Sequence, residues 1–338
     1  MTAGPRATIG ARLTSASLLL ATFASPACGP APVAAAERAP SEPTFSVVAL
    51  PDTQYYVALR PEIFDAQTRW IARRRVADDI AFVVHEGDVV DADTPEQWAR
   101  AAHSLRMLDG VVPYVLSAGN HDYDRVGSHI TRSTLMNVYF PAAIRSTEFR
   151  QQGTYEPGRI ENSWQVIPAP GGSWLVVSLE FGPRDAVLAW ADAVVKRFAP
   201  MPTLVLTHAY LAADGTRYDH VRRPEQLWNP YRYLPRAVGA VNDGEDIWRK
   251  LVLPNDSVRV VLCGHELGDG TGVLTSVRPD GTKVVQILAN YQTDAAGGDG
   301  YLRLMQFRPS EREVRVRTYS PYLDRFKNDE SNDFTVTY

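Results

Sequence analysis

The sequence predicts an α/β protein built around a parallel β-sheet, and three observations support that prediction. Between residues 44 and 118, apolar runs of strand length alternate with amphipathic helical segments. Strands connected through helices pair in parallel with right-handed crossovers, so their carboxyl ends share one edge of the sheet. From residue 273 onward, strands are separated by turns instead of helices, which predicts a second, more antiparallel sheet.

The first strands and helices are predicted from hydrophobic spacing. Strands are expected at 44–50, 80–84 and 111–118. A helix over 62–77 places Ile63 and Phe64 on one face, the spacing typical of a helix that packs against a sheet. Thr94 is the expected N-cap of the next helix, with Pro95 in its first turn.

The remaining elements are predicted in the same way. Strands are expected at 174–179, 203–206 and 257–262, and helices at 184–198 and 245–252. The tail adds strands at 273–277, 283–288, 301–307 and 314–319, with a hairpin turn at Pro279-Asp280-Gly281. Two irregular segments, 125–173 and 210–240, are expected to cover the edge where the strands end.

The N-terminal segment, residues 1–27, is predicted to be a secretory signal. Arg6 and Arg12 precede a short apolar run at 18–24, which is too short to span a bilayer as a stable helix. Cys28 follows Ser-Pro-Ala, which resembles a bacterial lipobox with Ser in place of the usual Leu. A lipid anchor on Cys28 and plain secretion are therefore both open, and either predicts an exported protein of the bacterial cell envelope or surroundings.

The rest of the chain is predicted to be a tether followed by one domain. Residues 28–43 are rich in Pro and Ala without periodicity, as in an extended linker, and residues 44–338 form the expected domain. The formal charge of −4 becomes −6 when the two signal arginines are removed, which argues against nucleic acid as the main partner. Apart from Cys28 the only cysteine is Cys263, so no disulfide framework is available.

Polar residues follow five of the predicted strands. They are Asp52, Asp88, Asn120, His208 and His265, and Gly87, Gly119 and Gly264 directly precede three of them. One histidine at a strand end is more often a packing residue than a ligand, but five such strand ends would be a large coincidence. Oxygen and nitrogen donors without thiolates suit Mn, Fe, Zn or Mg. A carboxylate shared by two such ions, about 3.5–4 Å apart, is an arrangement used for phosphoryl chemistry.

The order of these motifs resembles that of the calcineurin-like metallophosphoesterases, which is D-x-H, G-D, G-N-H-D/E, H and G-H-x-H. The matching stretches are Asp52-Thr53-Gln54, Gly87-Asp88, Gly119-Asn120-His121-Asp122, His208 and Gly264-His265-Glu266-Leu267. The resemblance runs from about residue 45 to residue 268. It implies a four-layer αββα sandwich of two mixed β-sheets flanked by helices, with divalent metal ions at the strand ends.

The resemblance also implies roles for individual residues. Asp88 would bridge two metals, and the second metal would be completed by Asn120, His208 and His265. His121 would act near the leaving group as general acid or charge stabiliser, with Asp122 orienting it. The implied reaction is hydrolysis of a phosphomonoester or phosphodiester, by in-line attack of a metal-bound hydroxide.

Two departures from the family pattern affect the first metal. Gln54 and Leu267 stand where the family has histidines, which leaves Asp52, Gln54 and Asp88 as oxygen donors. Such a site favours Mg, Mn or Ca, or stays partly empty. Asn290 and Glu266 are candidate replacements. The D-T-Q sequence also resembles a bacterial exported branch of the family in which this glutamine is usual.

The substrate is expected to be a phosphorylated small molecule or another phosphoester, with Tyr231 and Asn290 as candidate contacts. Tyr231 belongs to an aromatic cluster in the 210–240 segment, together with Tyr218, His220, Trp228 and Tyr233. This cluster either lines a substrate pocket or packs its own loop. The sequence does not indicate an oligomeric state.

Two other functions are compatible with the same residues. The missing histidines motivate an envelope-tethered metal-binding domain with weak or no catalysis, in which a single metal is structural. The other alternative is a zinc or manganese hydrolase of non-phosphate esters or amides. The order of the motifs argues against it, although motif order does not determine the substrate.

Overall fold

The structure is a computed structural model that describes residues 1, 43–124, 131–141, 149, 151–233 and 239–338. The predicted signal and the tether with Cys28 lie outside the described residues, except for Met1 and Pro43. Within the described ranges, no helix combines the length and the apolar character needed to cross a membrane.

The first sheet has seven strands and carries three of the five strand-end residues, Asp52, Asp88 and Asn120. Its strands are β1 (Phe45–Leu50), β2 (Ile80–His85), β3 (Tyr114–Leu116), β11 (Leu302–Arg308), β12 (Glu313–Ser320), β13 (Arg325–Lys327) and β14 (Asp333–Thr337). Their order is β13-β12-β11-β1-β2-β3, and β14 also pairs with β12. As predicted, β1, β2 and β3 pair in parallel.

The second sheet also has seven strands. They are β4 (Gln151–Thr154), β5 (Ser163–Ile167), β6 (Trp174–Ser178), β7 (Thr203–Leu206), β8 (Val258–Cys263), β9 (Thr271–Val277) and β10 (Lys283–Ala289). Their order is β4-β5-β6-β7-β8-β10-β9. The four central strands, β6, β7, β8 and β10, are parallel, so their carboxyl ends lie at one edge.

Helices cover the outer face of each sheet. They are α1 (Gln54–Leu59), α2 (Glu62–Arg74), α3 (Pro95–Leu105), α4 (Met136–Tyr139), α5 (Asp185–Phe198) and α6 (Gly244–Ile247), which continues into a π-helical turn at Trp248–Val252. The Thr94 side chain accepts a hydrogen bond from the Gln97 amide, so the predicted N-cap of α3 is confirmed. Three hydrophobic clusters separate the layers, which confirms the four-layer αββα sandwich.

The alternation of side chains along β1 shows how one strand serves two of these clusters. Phe45, Val47 and Ala49 point between the two sheets, whereas Val48 and Leu50 pack against the helices. Between the sheets, Phe45 stacks on Phe307 with ring centroids 5.0 Å apart. Trp174 of the second sheet meets the Phe307 ring edge-on at 5.1 Å, so these aromatic rings join the two sheets directly.

Two predictions about chain organisation are wrong. The tail does not form a separate antiparallel sheet, because β9 and β10 extend the second sheet whereas β11 and β12 extend the first. The segment 125–173 is not wholly irregular, because β4 and β5 form the antiparallel edge of the second sheet. In both cases the pairing partner is distant in sequence, and local pattern carries no information about it.

The aromatic contact between the sheets predicts a large stability effect. Phe307→Ala removes a fully buried ring from that contact and is expected to lower the free energy of unfolding by about 3–5 kcal/mol. Phe326→Ala is the matched control, because this ring is 42% exposed, and its cost should stay below about 1 kcal/mol. Urea denaturation of both variants measures the difference, and equal losses would contradict the described core.

Candidate metal centre

The ends of five strands from two different sheets meet at one place. Asp52, Asp88 and Asn120 follow strands of the first sheet, whereas His208 and His265 follow β7 and β8 of the second. All five side chains are buried, with exposures of 6% or less. Polar groups this deep in a protein require partners of opposite character.

The ring of His208 lies at the middle of this group. Its Nε2 atom is 3.2 Å from Asp88 Oδ1, 3.2 Å from Asn120 Oδ1 and 3.1 Å from His265 Nδ1. Asp52 Oδ1 lies somewhat farther away, at 3.9 Å. Asp88, His208 and His265 bring their ligand atoms close enough together to hold one metal ion.

The outer nitrogens of both imidazoles are fixed by main-chain carbonyls. His208 Nδ1 donates to the Glu86 carbonyl, and His265 Nε2 donates to the Trp228 carbonyl, both at 2.8 Å. A carbonyl oxygen only accepts, so these nitrogens carry the hydrogens. The inner nitrogens of the neutral rings therefore present lone pairs to each other at 3.1 Å. Two facing lone pairs need a cation between them, so the donor set fits a divalent metal ion.

The electrostatics of the metal-free centre lead to the same conclusion. Burial lowers the pKa of His208, but the charges of Asp88 and Asp52 outweigh it and raise that pKa to about 9. Burial and the neighbouring His208 lower the pKa of His265 to about 3. Burial raises the pKa of Asp52 to about 7, despite the opposing charge of His208. Protons thus occupy the centre at neutral pH, where a metal ion would displace them.

Two of the glycines before the site residues permit close approach of the ligands. A Cβ atom on Gly119 would lie 2.0 Å from Asp88 Oδ1, and one on Gly264 would lie 2.2 Å from Asp52 Oδ2. Asp88 and His265 themselves adopt left-handed backbone conformations, with φ of 48° and 75°. Such strain in non-glycine residues occurs at functional sites, where surrounding structure enforces it.

His121 lies at the rim of the centre, with its side chain 21% exposed. Its amide donates to Asp88 Oδ1 at 2.9 Å, and its Nδ1 donates to the Asp91 carbonyl at 2.9 Å. Asp122 was expected to orient this ring. Its buried carboxylate instead accepts from the amides of Val90 and Gly119, so it braces the two loops that carry Asp88 and Asn120.

Gln54 is the first residue of α1, two positions after Asp52 in the chain, and its side chain is fully buried. Among the described residues neither its Oε1 nor its Nε2 has a hydrogen-bond partner. An unpartnered buried amide is costly and unusual, and a cation coordinated by the oxygen would remove part of that cost. Gln54 therefore fits the role of a metal ligand in the place of the family's histidine.

The two candidate replacements for the missing histidine behave differently. The Glu266 carboxylate accepts a hydrogen bond from the Tyr218 hydroxyl, so it already has a protein partner. Asn290 follows β10, which neighbours β8, and it is 2% exposed. Its Oδ1 accepts from the Gln292 amide at 2.9 Å, and its Nδ2 has no partner among the described residues. Asn290 is thus a buried residue at the same sheet edge, hydrogen-bonded to the main chain of Gln292.

A small cavity of about 110 Å³, here called the strand-end pocket, opens onto the centre. It is lined by Tyr55, Asp88, Asn120, His121, Trp228, Tyr233, His265, Leu267 and Gln292. Of the predicted aromatic cluster, only Trp228 and Tyr233 reach it. Sequence reasoning missed Tyr55 and Gln292. Tyr55 directly follows Gln54, and Gln292 lies two residues after Asn290, so closeness in sequence to these candidates was the available signal.

Tyr231, a predicted substrate contact, lies elsewhere. Its ring stacks on His220 with centroids 3.6 Å apart, and its hydroxyl donates to Asp246 at 3.0 Å. Both rings border a neighbouring cavity of about 540 Å³. His220 in turn donates from Nδ1 to the buried Asp243 at 2.9 Å. Loop packing therefore accounts for the contacts of Tyr231.

Comparison with known proteins identifies the family. The model of the family described as "Calcineurin-like phosphoesterase" matches residues 45–269, well over half of the chain. The chain belongs to the calcineurin-like phosphoesterase family. This agrees with the metal centre, since the matched range contains Asp52, Asp88, Asn120, His208 and His265.

A curated relative and two solved structures are also similar to this calcineurin-like phosphoesterase. "Uncharacterized protein YvnB" of Bacillus subtilis (strain 168) is 33% identical over 299 residues, which cover 85% of this chain and 21% of that protein. The chain thus spans about a fifth of that relative's length. The structure of Haemophilus influenzae NAD nucleotidase (NadN) aligns with a TM-score of 0.39 and 11% identity, over 87% of this chain and 54% of that one. Sulfate thiohydrolase SoxB of Thermus thermophilus, in complex with glycerol, aligns with a TM-score of 0.34 and 12% identity, over 78% and 43%.

The raised pKa of His208 predicts that metal affinity depends on pH. Below pH 9 the imidazole holds a proton that the ion must displace, so Mn²⁺ affinity should rise by up to about tenfold per pH unit between pH 6 and 9. Below pH 7 the proton on Asp52 should steepen this slope. Calorimetry in buffers of different ionisation enthalpy measures the released protons. The exposed His103→Gln variant should show the same slope, and a flat profile in the unmodified protein would contradict the described centre.

Proposed function

We propose that this protein is a metal-dependent phosphoesterase that hydrolyses a phosphomonoester or a phosphodiester. The observation that carries the proposal is the convergence of Asp88, Asn120 and His265 on His208 Nε2, within 3.2 Å. Three members of this donor set, Asp88, Asn120 and His265, line a pocket that His121 also lines. Membership of the phosphoesterase family supports the same reaction class.

The residues that would hold metal ions divide into two groups. Asp88, Asn120, His208 and His265 would hold one ion, and Asp52 and Gln54 would hold a second together with Asp88. Mn, Fe, Zn and Mg suit the first group, and the oxygen-only second group suits Mg, Mn or Ca. Bound ions would supply positive charge for the phosphoryl oxygens and would make water more acidic.

The chain's own contribution to bond cleavage centres on His121. Hydrolysis forms a bond between a water oxygen and phosphorus and breaks the bond to the ester oxygen, which needs a proton as it leaves. Burial lowers the pKa of His121, but Asp88 and the contacts with Asp91 outweigh it, so the net pKa is raised. Metal on Asp88 would remove part of this effect, whereas the Asp91 contacts would persist. We assign His121 the role of proton donor to the leaving oxygen.

The N-terminal segments would place this catalytic domain outside the cell. Residues 1–27 would direct export, 28–43 would tether, and 44–338 would form the catalytic domain. The apolar run at 18–24 and the Pro- and Ala-rich stretch after Cys28 support this arrangement. The D-T-Q sequence at Asp52 would then be a functional variant typical of exported relatives.

Removal of the proposed proton donor provides the first test. With Mn²⁺ or Mg²⁺ present, His121→Ala should lower kcat for a generic aryl phosphate by about a hundredfold or more. Its metal content should stay unchanged, because the ring donates to the Asp91 carbonyl and not to the metal group. His103→Ala is the matched control, since that side chain is 70% exposed on α3, and its kcat should match the unmodified protein.

The same assay separates the competing functions. If the unmodified protein, His121→Ala and Asn120→Ala all show negligible turnover with every metal, the metal-binding domain without catalysis is favoured. A substrate panel of a phosphomonoester, a phosphodiester and a carboxylester decides the reaction class. Preferential cleavage of the carboxylester would refute the proposed phosphoesterase.

The role of Gln54 is tested by an isosteric apolar substitution. Gln54→Met keeps the volume and removes two unpartnered buried polar atoms, so in EDTA the unfolding free energy should stay within about 1 kcal/mol or rise. The increase in Tm caused by Mn²⁺ or Mg²⁺ should shrink, since one ligand is lost. Thermal unfolding with and without each ion measures both effects. An unchanged metal-induced increase would show that Gln54 is no ligand.

A further inference from the structure

Two segments that line the strand-end pocket, α1 and the loop 218–233, also carry exposed apolar side chains. We call this set, comprising Tyr55, Leu59, Val221, Leu227 and Trp228, the apolar rim. Leu59 is 81% exposed, Val221 70% and Leu227 67%, so these three side chains lie almost entirely in solvent. Other exposed large apolar residues among the described ones, such as Val76, Val138 and Val277, lie on separate elements. Single exposed apolar residues need no explanation, but several on the two segments that line one pocket do.

The rim is connected to the pocket from two sides. Tyr55 of α1 and Trp228 of the 218–233 loop both line the strand-end pocket. Leu59 lies one helical turn after Tyr55, on the same side of α1, and Leu227 directly precedes Trp228. The apolar side chains therefore lie on two segments that each contribute a side chain to the pocket.

The loop side of the rim is held in place by hydrogen bonds. The Trp228 carbonyl accepts from His265 of the metal centre, and the Asp219 carboxylate accepts from the Val221 and Arg222 amides. Asp219 is 9% exposed, so this turn is anchored in the protein. Val221 and Leu227 are therefore exposed on a loop that hydrogen bonds hold in place. The same loop is hydrogen-bonded to His265 of the metal centre.

Charge around the rim favours an anionic surface. The segment 221–232 contains three arginines and one glutamate, and Arg223 is paired with both Glu225 and Asp214, which leaves Arg222 and Arg232 as its basic side chains. Arg222 has a side chain that is 75% exposed, with its nearest carboxylate, on Asp219, at 3.9 Å. Arg232 is also exposed. Exposed basic side chains in the same segment as exposed Trp and Leu are a combination found where proteins lie on anionic lipid.

The size of the pocket limits how much of a substrate it can enclose. Its volume of about 110 Å³ is far below the roughly 300–1,000 Å³ of pockets that enclose a small organic ligand. It accommodates a phosphate group and little more, so the remainder of the substrate lies outside and meets the rim. An apolar remainder would be stabilised there, because contact removes apolar surface from water on both sides.

We propose that the apolar rim docks on an anionic lipid surface, and that the substrate is a phosphoester carried by an amphiphile in that surface. This inference rests on the proposed phosphoesterase function. Val221, Leu227 and Leu59 enter the interfacial layer, while Arg222 and Arg232 meet lipid phosphates. The strand-end pocket then faces the headgroup layer, where the P–O ester bond lies.

Vesicle sedimentation tests the docking. All proteins carry Cys28→Ser, so that no lipid on that residue contributes, and all retain the full chain. The parent protein should bind vesicles of phosphatidylcholine with phosphatidylglycerol and bind phosphatidylcholine alone at least about tenfold more weakly. Val221→Ser combined with Leu227→Ser should weaken binding to the anionic vesicles by at least about fivefold. Val277→Ser is the matched control, since this valine is 62% exposed on β9, and it should bind like the parent.

Each outcome separates docking from catalysis. Absence of vesicle binding by the parent, or equal losses for the rim variant and Val277→Ser, would overturn the docking; thermal unfolding of each variant verifies that it is folded. The substrate is tested with vesicles containing phosphatidic acid, a monoester, and phosphatidylglycerol, a diester. Cleavage of neither lipid by a protein that cleaves soluble aryl phosphate would overturn the substrate class and leave the phosphoesterase intact. Binding without any hydrolysis would refute the phosphoesterase and keep the docking.

Discussion

The close contact between two imidazole nitrogens is the central interaction of this structure. His208 Nε2 and His265 Nδ1 lie 3.1 Å apart, and carbonyl acceptors hold the hydrogens of both rings on their outer nitrogens. The resulting lone pairs are stable only around a cation, and the charges of Asp88 and Asp52 raise the pKa of His208 to about 9. The carboxylates and the amide around them serve the same cation. Burial strengthens every one of these interactions and makes each unpartnered group more costly.

The four-layer sandwich is what brings these groups together. Three donors follow strands of one sheet and two follow strands of the other, so neither sheet alone provides the centre. The aromatic contact of Phe45 and Trp174 with Phe307 packs the two sheets against each other. Packing between the sheets is therefore part of the construction of the site, and not only a source of stability.

The loop around Trp228 connects the metal centre to the pocket and to the protein surface. Trp228 lines the pocket with its side chain, accepts a hydrogen bond from His265 with its carbonyl, and follows the exposed Leu227. One loop thus links metal ligation, the shape of the pocket and the outer surface. Asp122 has a comparable role inside, since its carboxylate joins the loops of Asp88 and Asn120.

The sequence by itself determined the strand-end residues, the parallel order of β1 to β3 and the family, because hydrophobic spacing and short motifs are local signals. It also identified Gln54 as a departure from the pattern. Tertiary structure alone decided that the tail divides between two sheets, that Asp122 braces the backbone, and that Tyr231 packs on His220 outside the pocket. These outcomes depend on contacts between residues far apart in the chain, and such contacts leave no periodic trace in the sequence.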